Sequence, residues 1–433
     1  MATKALTHKS LGGVNLDYPG WKVVAAGFLI FFFAFGGPTA SMPLVYNEVI
    51  QEFGWSRTTA TLIYTWKGIT GAVVAIFLIG PLVDRFGLKP VFLTVVTLQA
   101  IGFAAFLAVH SVWTYYLTGF LIGLGQGAVL LCIKLMVSRW FIRNVGLAGA
   151  MALAGASIGG IVFPWYILAT MPALGWRLTF ALIGIGIFVV AVPLILTAKQ
   201  EPTEEELLPE IGRRHAGMPA PGAADAARAA ELDLSYGQLI RRPMFWGILL
   251  SVMIIAGVDQ GLFQNSQLYF TREAGLSPAL AVSALSVTFL VGMLSKFVAG
   301  WFFDKYSVRG IALWYLLIAL MVILAFPVSS YATALLFSFA LGVAHGGLVC
   351  EGPVLAKHVY GPKHMNRVLP MITGFFSLGS ASGPALLAYI YDRNGSYAMG
   401  FALFVGLALL AALMLSRVRP LYRDRLHSAT QAG

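Results

Sequence analysis

Gly80-Pro81-Leu82-Val83-Asp84-Arg85-Phe86 returns 220 residues later as Gly300-Trp301-Phe302-Phe303-Asp304-Lys305-Tyr306, and each copy closes a long apolar run. The same offset relates Ser157, Gly159 and Gly175 to Ser377, Gly379 and Gly395. Small residues alone would carry little, because Gly and Ser are common wherever helices touch in membranes. An acidic-basic pair recurring at that offset marks a duplication. Both copies run in the same sense, so the halves are expected to be parallel repeats about a pseudo-twofold axis along the membrane normal, with a cavity between them.

Outward from this motif, the composition sets the medium. Of 433 residues 58% are hydrophobic and 11% charged, with a mean hydropathy of +0.81. A soluble domain carries about 25% charged residues, so an ordinary cytosolic protein is excluded. Twelve apolar segments can be counted, at 21–46, 58–83, 90–110, 112–138, 145–169, 176–197, 244–268, 279–302, 310–328, 331–356, 367–391 and 396–416. Most approach or exceed the roughly 20 residues that cross a bilayer as a helix, the only open structure that satisfies its own backbone there. The expected fold is therefore all-α, with twelve transmembrane helices in two six-helix bundles. The division is a segment 1–20, a bundle 21–198, a polar linker 199–243, a second bundle 244–416 and a tail 417–433.

The net charge of +11 reports topology rather than nucleic acid, since the basic residues sit in short clusters between apolar runs. With the N-terminus inside, 22 of the 29 Lys and Arg fall on the inner side, whereas Arg57, Arg177, Arg272 and Arg393 fall outside and three lysines lie within spans. Both termini and the linker are expected in the cytoplasm. Residues 1–20 hold no apolar signal region, so the first span is expected to target the chain, most simply to a bacterial inner membrane. Cys132 and Cys350 both lie in apolar runs and offer neither a disulfide framework nor a metal pair. No phosphate-binding loop occurs, because Gly123-Leu124-Gly125-Gln126-Gly127 lies within an apolar helix. Neither a cofactor nor an enzymatic reaction is expected, and the chain is expected to act as a monomer.

The stretch Gly80-Pro81-Leu82-Val83-Asp84-Arg85-Phe86-Gly87-Leu88-Lys89 closely resembles the loop signature of the major facilitator superfamily, G-x-x-x-D-R-x-G-x-[KR]. Physically, Gly80 allows close helix approach, Asp84 suits a positive helix N-terminus, and Arg85 and Lys89 anchor the turn in water. Asp84, Arg85, Asp304 and Lys305, with Arg139, are candidate cytoplasmic gate residues. Two further stretches resemble monocarboxylate transporters. Asp17-Tyr18-Pro19-Gly20-Trp21 is similar to the start of that family's first span, and Trp140-Phe141-Ile142-Arg143 through Gly155 is similar to the start of its fifth.

Charges within spans carry most of the functional signal, since one at the bilayer centre costs at least about 2.5 kcal/mol. Lys67 lies in span 2, Lys134 in span 4, Asp259 in span 7, Lys296 in span 8, and His345 and Glu351 in span 10. Spans 3, 6, 9 and 12, which are peripheral in facilitator folds, carry none in their interiors. By the resemblance, Lys296 stands where monocarboxylate transporters keep a carboxylate-binding arginine. Gly292 stands where they often keep an aspartate linked to proton movement, and Ala40 lies nearest their first-span lysine, so the proton role passes here to Asp259, Glu351 or His345. Gln260, Gln264 and Gln267 share a helix face beside Asp259, and Tyr64 shares one with Lys67.

These residues imply a secondary transporter of a small organic anion, a monocarboxylate first, working by alternating access with protons as the candidate coupling ion. Lys296 would bind the carboxylate, assisted by Lys67, Tyr64, Gln260 and Gln264. Asp259 would neutralise lysine in the empty site, and Glu351 would pair with Lys134. Three alternatives stay open: an exchanger of dicarboxylates or oxalate, a carrier of drugs or neutral solutes, and a nutrient sensor without transport.

Overall fold

The structure is a computed structural model that describes residues 10–11, 14–15, 18–141, 145–199, 202–203, 206 and 236–422. Asp17, Arg143 and most of the expected linker lie outside the described residues. Apart from a two-residue antiparallel pairing of Ser10–Leu11 with Val14–Asn15, the described chain is helical.

Ten continuous helical stretches are long and apolar enough to cross a bilayer. Two of them are too long to cross only once. Val145–Thr197 has 53 residues and Pro278–Ile323 has 46, which at 1.5 Å per residue is more than twice the roughly 30 Å hydrocarbon thickness. Each breaks at one non-helical residue, Gly175 (φ 74°, ψ 158°) and Ser307 (φ 56°, ψ −140°). Divided there, the described chain has twelve spans. Span 1 is Gly20–Phe53, span 2 Arg57–Phe86, span 3 Leu88–Ala108 and span 4 Val112–Trp140. Spans 5 and 6 are 145–174 and 176–197. Span 7 is Pro243–Glu273, spans 8 and 9 are 278–306 and 308–323, span 10 is Tyr331–Tyr360, span 11 Pro362–Asn394 and span 12 Ala398–Ser416.

Several helices outrun their apolar segments. Span 1 continues from the expected end at 46 to Phe53, and span 7 from 268 to Glu273. A helix satisfies its own backbone, so it persists into the polar interface until something stops it. At Phe53 the stop is Gly54, whose left-handed φ of 66° places its N–H on the Ile50 carbonyl.

Glycines decide how the helices cross. A Cβ added to Gly123 or Gly127 of span 4 would lie 2.4 or 2.2 Å from the carbonyls of Lys67 or Gly71 in span 2. Gly342 and Gly346 of span 10 meet Thr288 and Gly292 of span 8 in the same way, at 2.7 and 2.6 Å. Gly155 and Gly159 bring span 5 onto span 1, and Gly379 and Gly383 bring span 11 onto span 7. These small-xxx-small pairs let backbones touch where lipid offers no hydrophobic drive to associate.

The buried apolar side chains gather into two cores, one drawn from Tyr18 to Ile195 with Leu268 and Val282, the other from Leu239 to Val418. Exposed Ile185 and Val189, Leu313 and Leu320, and Leu409 and Leu413 give spans 6, 9 and 12 apolar outer faces. One end of the molecule collects the ends of the described chain. There the Tyr18 hydroxyl donates to the Trp140 carbonyl, Trp140 Nε1 donates to the Lys199 carbonyl (2.9 Å), and Tyr422 packs on Gly361. This end is called the terminus side below, and the opposite end the far side.

Candidate functional site

The seam between the cores is formed where span 2 meets span 11, span 5 meets span 8 and span 1 meets span 7. Gly68 packs on Ala381, whose carbonyl accepts from the Thr65 hydroxyl at 2.6 Å. Gly160 packs on Phe289, and Trp165 Nε1 donates to Ser286 Oγ at 3.2 Å.

Lys67 lies at this seam, ten residues and so about 15 Å inward from Arg57. It is 5% exposed. Its ammonium sits 3.9 Å from the centre of the Tyr64 ring, a cation–π contact worth about 2 kcal/mol when desolvated. No carboxylate among the described residues pairs with it. The Tyr64 hydroxyl crosses the seam to donate to Gln260 Oε1 (2.7 Å), and one turn along, Tyr46 donates to Gln264 Oε1 (3.2 Å). Gln264 Nε2 and Gln267 Oε1 are buried without a hydrogen-bond partner.

The acids stand elsewhere than expected. Asp259 does not neutralise a lysine. Its Oδ2 lies 2.8 Å from His345 Nδ1 and accepts from Gln260 Nε2 at 3.0 Å, and its Oδ1 is buried without a partner. The His345 ring stacks on Phe263, with ring centres 6.0 Å apart. Lys296 reaches across the seam to Ser157 Oγ at 3.3 Å, while Cys350 Sγ donates to the Lys296 carbonyl at 3.5 Å. Lys134 is exposed and forms no ion pair with Glu351. Glu351 is 1% exposed, and neither of its oxygens has a hydrogen-bond partner of good geometry among the described residues. Helix rotation explains these corrections, because Asp259 turns toward span 10, and His345 and Gln260 take its carboxylate.

At the terminus side, Asp84, Arg85, Asp304 and Lys305 are exposed and Arg139 is half-buried. Arg85 lies over Phe86, and Lys305 over Trp301 and Tyr306. Among the described residues neither Asp84 nor Asp304 forms an ion pair. No three His, Cys, Asp or Glu side chains among the described residues gather as metal ligands.

The far side holds a cluster that the sequence reading did not single out as a site. Arg57 from span 2 donates to Glu273 (3.0 Å) and to the Tyr397 hydroxyl (2.9 Å), and its guanidinium lies 3.5 Å over the Tyr391 ring. Asp392 accepts from the Arg57 and Thr58 backbone N–H groups at 3.2 and 2.8 Å, capping span 2 from the other half. Arg272 donates to Asn47 at 2.7 Å. A signal for this cluster was present. Arg57, Arg177, Arg272 and Arg393 are the four basic residues that break the charge bias, and each has a partner here: Arg177 takes Glu52 at 2.7 Å, and Arg393 lies over Tyr389.

Comparison with known proteins bears on the family and the fold. The Major Facilitator Superfamily profile matches residues 26–334 and 267–432. An uncharacterised MFS-type transporter of Escherichia coli, YhjX, is 23% identical over 318 residues, 72% of this chain and 74% of its own. Monocarboxylate transporter 4 of Rattus norvegicus is 21% identical over 414 residues, 92% of this chain and 82% of its own. In fold, the chain is similar to a bacterial homologue of the human lysosomal transporter Spinster in an inward-facing, occupied conformation, with TM-score 0.64, 17% identity, and 96% and 97% of the two chains covered. It is also similar to a mutant form of the nucleoside transporter NupG, with TM-score 0.70, 14% identity, and 91% and 99% covered. These relatives are transporters, not enzymes. With the profile spanning nearly the whole chain and the twelve-span fold beneath it, this multi-pass membrane protein belongs to the major facilitator superfamily.

Proposed function

We propose that the chain is a secondary transporter of a small organic anion, a monocarboxylate first, which binds at the seam and crosses by alternating access. The observation that carries this reading is Lys67, a buried cation at the junction of the halves with no carboxylate beside it. A cation left so is costly, and an incoming carboxylate supplies the missing charge. Lys296, bonded across the seam to the neutral Ser157, adds a second cation of the same kind. Tyr64, Gln260 and Gln264 surround the path with hydroxyl and amide groups. The relatives named monocarboxylate transporters support the substrate class.

In this reading the Arg57 cluster holds the far side shut, and Asp84, Arg85, Arg139, Asp304 and Lys305 form the latch of the opposite gate. The terminus side is the cytoplasmic one. Seam cations contributed by both halves favour a second reading, exchange of dicarboxylates, in which each lysine takes one carboxylate.

The test is uptake of radiolabelled mono- and dicarboxylates into proteoliposomes by wild type and Lys296→Ala. Saturable monocarboxylate uptake that Lys296→Ala abolishes is expected. Dicarboxylate uptake only into anion-loaded vesicles would select the exchanger, and uptake of neutral or cationic solutes that survives Lys296→Ala would contradict both readings.

A further inference from the structure

We propose that Asp259 and His345 form a proton-binding site whose charge is relayed to Lys67 through Gln260 and Tyr64, so that a bound proton and a bound anion favour one another. The coupling to an anion rests on the function proposed above, whereas the proton site stands on its own geometry. Five side chains form one continuous path from span 2 to span 10. Lys67 lies over Tyr64 at 3.9 Å, Tyr64 donates to Gln260 at 2.7 Å, Gln260 donates to Asp259 at 3.0 Å, and Asp259 meets His345 at 2.8 Å. Three of the five come from spans 7 and 10, so the path crosses the seam once, at the Tyr64–Gln260 bond.

The chemistry of the pair sets what it can do. The side chain of Asp259 is 0% exposed and that of His345 is 23% exposed. With Nδ1–H directed at the carboxylate, the free ring nitrogen Nε2 is left to accept a proton from water. Without that proton, a carboxylate facing a neutral imidazole carries one net negative charge. With it, the pair is neutral.

The surroundings amplify the change. The ionisable groups facing the pair are Tyr64 from span 2, with Lys67 behind it, and Glu351 from span 10. Span 8 meets the imidazole edge at Gly292, with the Lys296 cation one turn further along that helix, and span 11 presents Gly379 and Gly383 to span 7. In its charged state the pair repels an anion arriving at Lys67 and competes with it for the ammonium. Protonation removes both effects, and by reciprocity a bound anion strengthens proton binding. The expected consequence is that proton and anion cross in the same direction. Gln260 is the positioning residue of the relay, since its amide accepts from one half and donates to the acid of the other.

Two measurements test the proposal. The first needs no substrate: proton uptake by the purified protein in nanodiscs is titrated between about pH 8 and pH 5. Wild type is expected to bind one proton more per molecule than His345→Gln and to bind it more tightly than Asp259→Asn, while Tyr64→Phe keeps that proton. Identical titrations for wild type and both variants would overturn the site, whatever the protein carries.

The second compares proton-gradient-driven accumulation with counterflow exchange in proteoliposomes, using radiolabelled lactate as the probe. The ratio of driven to exchange flux is expected to fall about tenfold or more in Asp259→Asn and in Tyr64→Phe. A wild-type ratio in Asp259→Asn would overturn the coupling. Counterflow also reports whether each variant has folded. If wild type moves no anion at all, the function proposed above fails alone, and the proton titration still decides the site.

Discussion

The two halves share a frame and differ in almost everything that carries charge. The span 2 to span 4 crossing through Gly123 and Gly127 is repeated by span 8 and span 10 through Gly342 and Gly346, and the span 1 to span 5 crossing by span 7 and span 11. At the 220-residue offset, however, Lys67 faces Val287, Tyr64 faces Ala284, Asp259 faces Thr39, His345 faces Gly125, Glu351 faces Leu131 and Lys296 faces Ile76. The backbone was duplicated and the chemistry was not. The first half brings to the seam a lysine and two tyrosine hydroxyls, and the second brings amides, a histidine-bound acid and the other seam lysine. Symmetry therefore supplies the packing, and asymmetry supplies the charged and polar groups of the seam.

The largest effect is expected from removing the first half's cation. Lys67→Met should lower carboxylate uptake in proteoliposomes by about a hundredfold, since truncating one member of a buried charged contact costs about 2–5 kcal/mol. Adding Val287→Lys at the repeat position should not restore it. Recovery of uptake in the double variant would show that the halves are interchangeable at the seam.

The shared frame is probed next. Gly127→Ala and Gly346→Ala place a Cβ 2.2 and 2.6 Å from the facing carbonyls of Gly71 and Gly292. Overpacking of this kind costs about 1–3 kcal/mol, so both variants should melt earlier than wild type in detergent and by similar amounts. A loss confined to one half would mean that the crossings are not equivalent.

The far side differs between halves too. Glu52 and Arg177 close the first half on itself, whereas Arg57 leaves that half to reach Glu273, with side chains 9% and 29% exposed. That partial exposure sets the Arg57–Glu273 pair between the surface and buried cases, at about 1–2 kcal/mol. Glu273→Gln should therefore shift the population opened on the far side by about tenfold. Spin labels at Gln51→Cys and Arg393→Cys, in a background lacking Cys132 and Cys350, should report a longer distance. An unchanged distance distribution would remove Arg57 from the gate.

The smallest effect concerns the turns that follow the duplicated motif. Gly87 (φ 82°, ψ 163°) and its repeat mate Ser307 (φ 56°, ψ −140°) both adopt a backbone that favours glycine. In Ser307 the strain is about 1–3 kcal/mol, and its hydroxyl partly offsets this by bonding His358 Nδ1 at 2.9 Å, a contact worth about 1 kcal/mol. Strain outweighs that bond, so Ser307→Gly should raise the melting temperature and Gly87→Ser should lower it. A lower melting temperature for Ser307→Gly would give the larger share to the His358 contact.

The fold was legible because each level of it leaves a pattern in one dimension. Apolar run lengths gave the spans, and the Asp84/Asp304 motif gave the duplication. The helix breaks at Gly175 and Ser307 fall where the charge pattern requires turns. Lengths were less legible, because the segments extending span 1 to Phe53 and span 7 to Glu273 are polar. The site was half legible. Counting ionisable residues in spans found Lys67, Asp259, Lys296, His345 and Glu351, but pairing depends on helix rotation, which spacing does not encode. Hence the expected Asp259–lysine pair is replaced by Asp259 with His345. Arg57 was counted as an exception to the charge bias, and its meaning emerged only with Glu273, 216 residues away in sequence.

Recognition of negative charge at the seam is the property on which the proposed function depends. It is measured directly by uptake of the fastest-carried carboxylate against its uncharged amide, of nearly the same size and shape, in wild type and Lys67→Met. Wild type is expected to carry the acid about a hundredfold faster than the amide, and Lys67→Met to abolish this preference. An amide carried as fast as its acid by the wild-type protein would contradict a charge-selective seam.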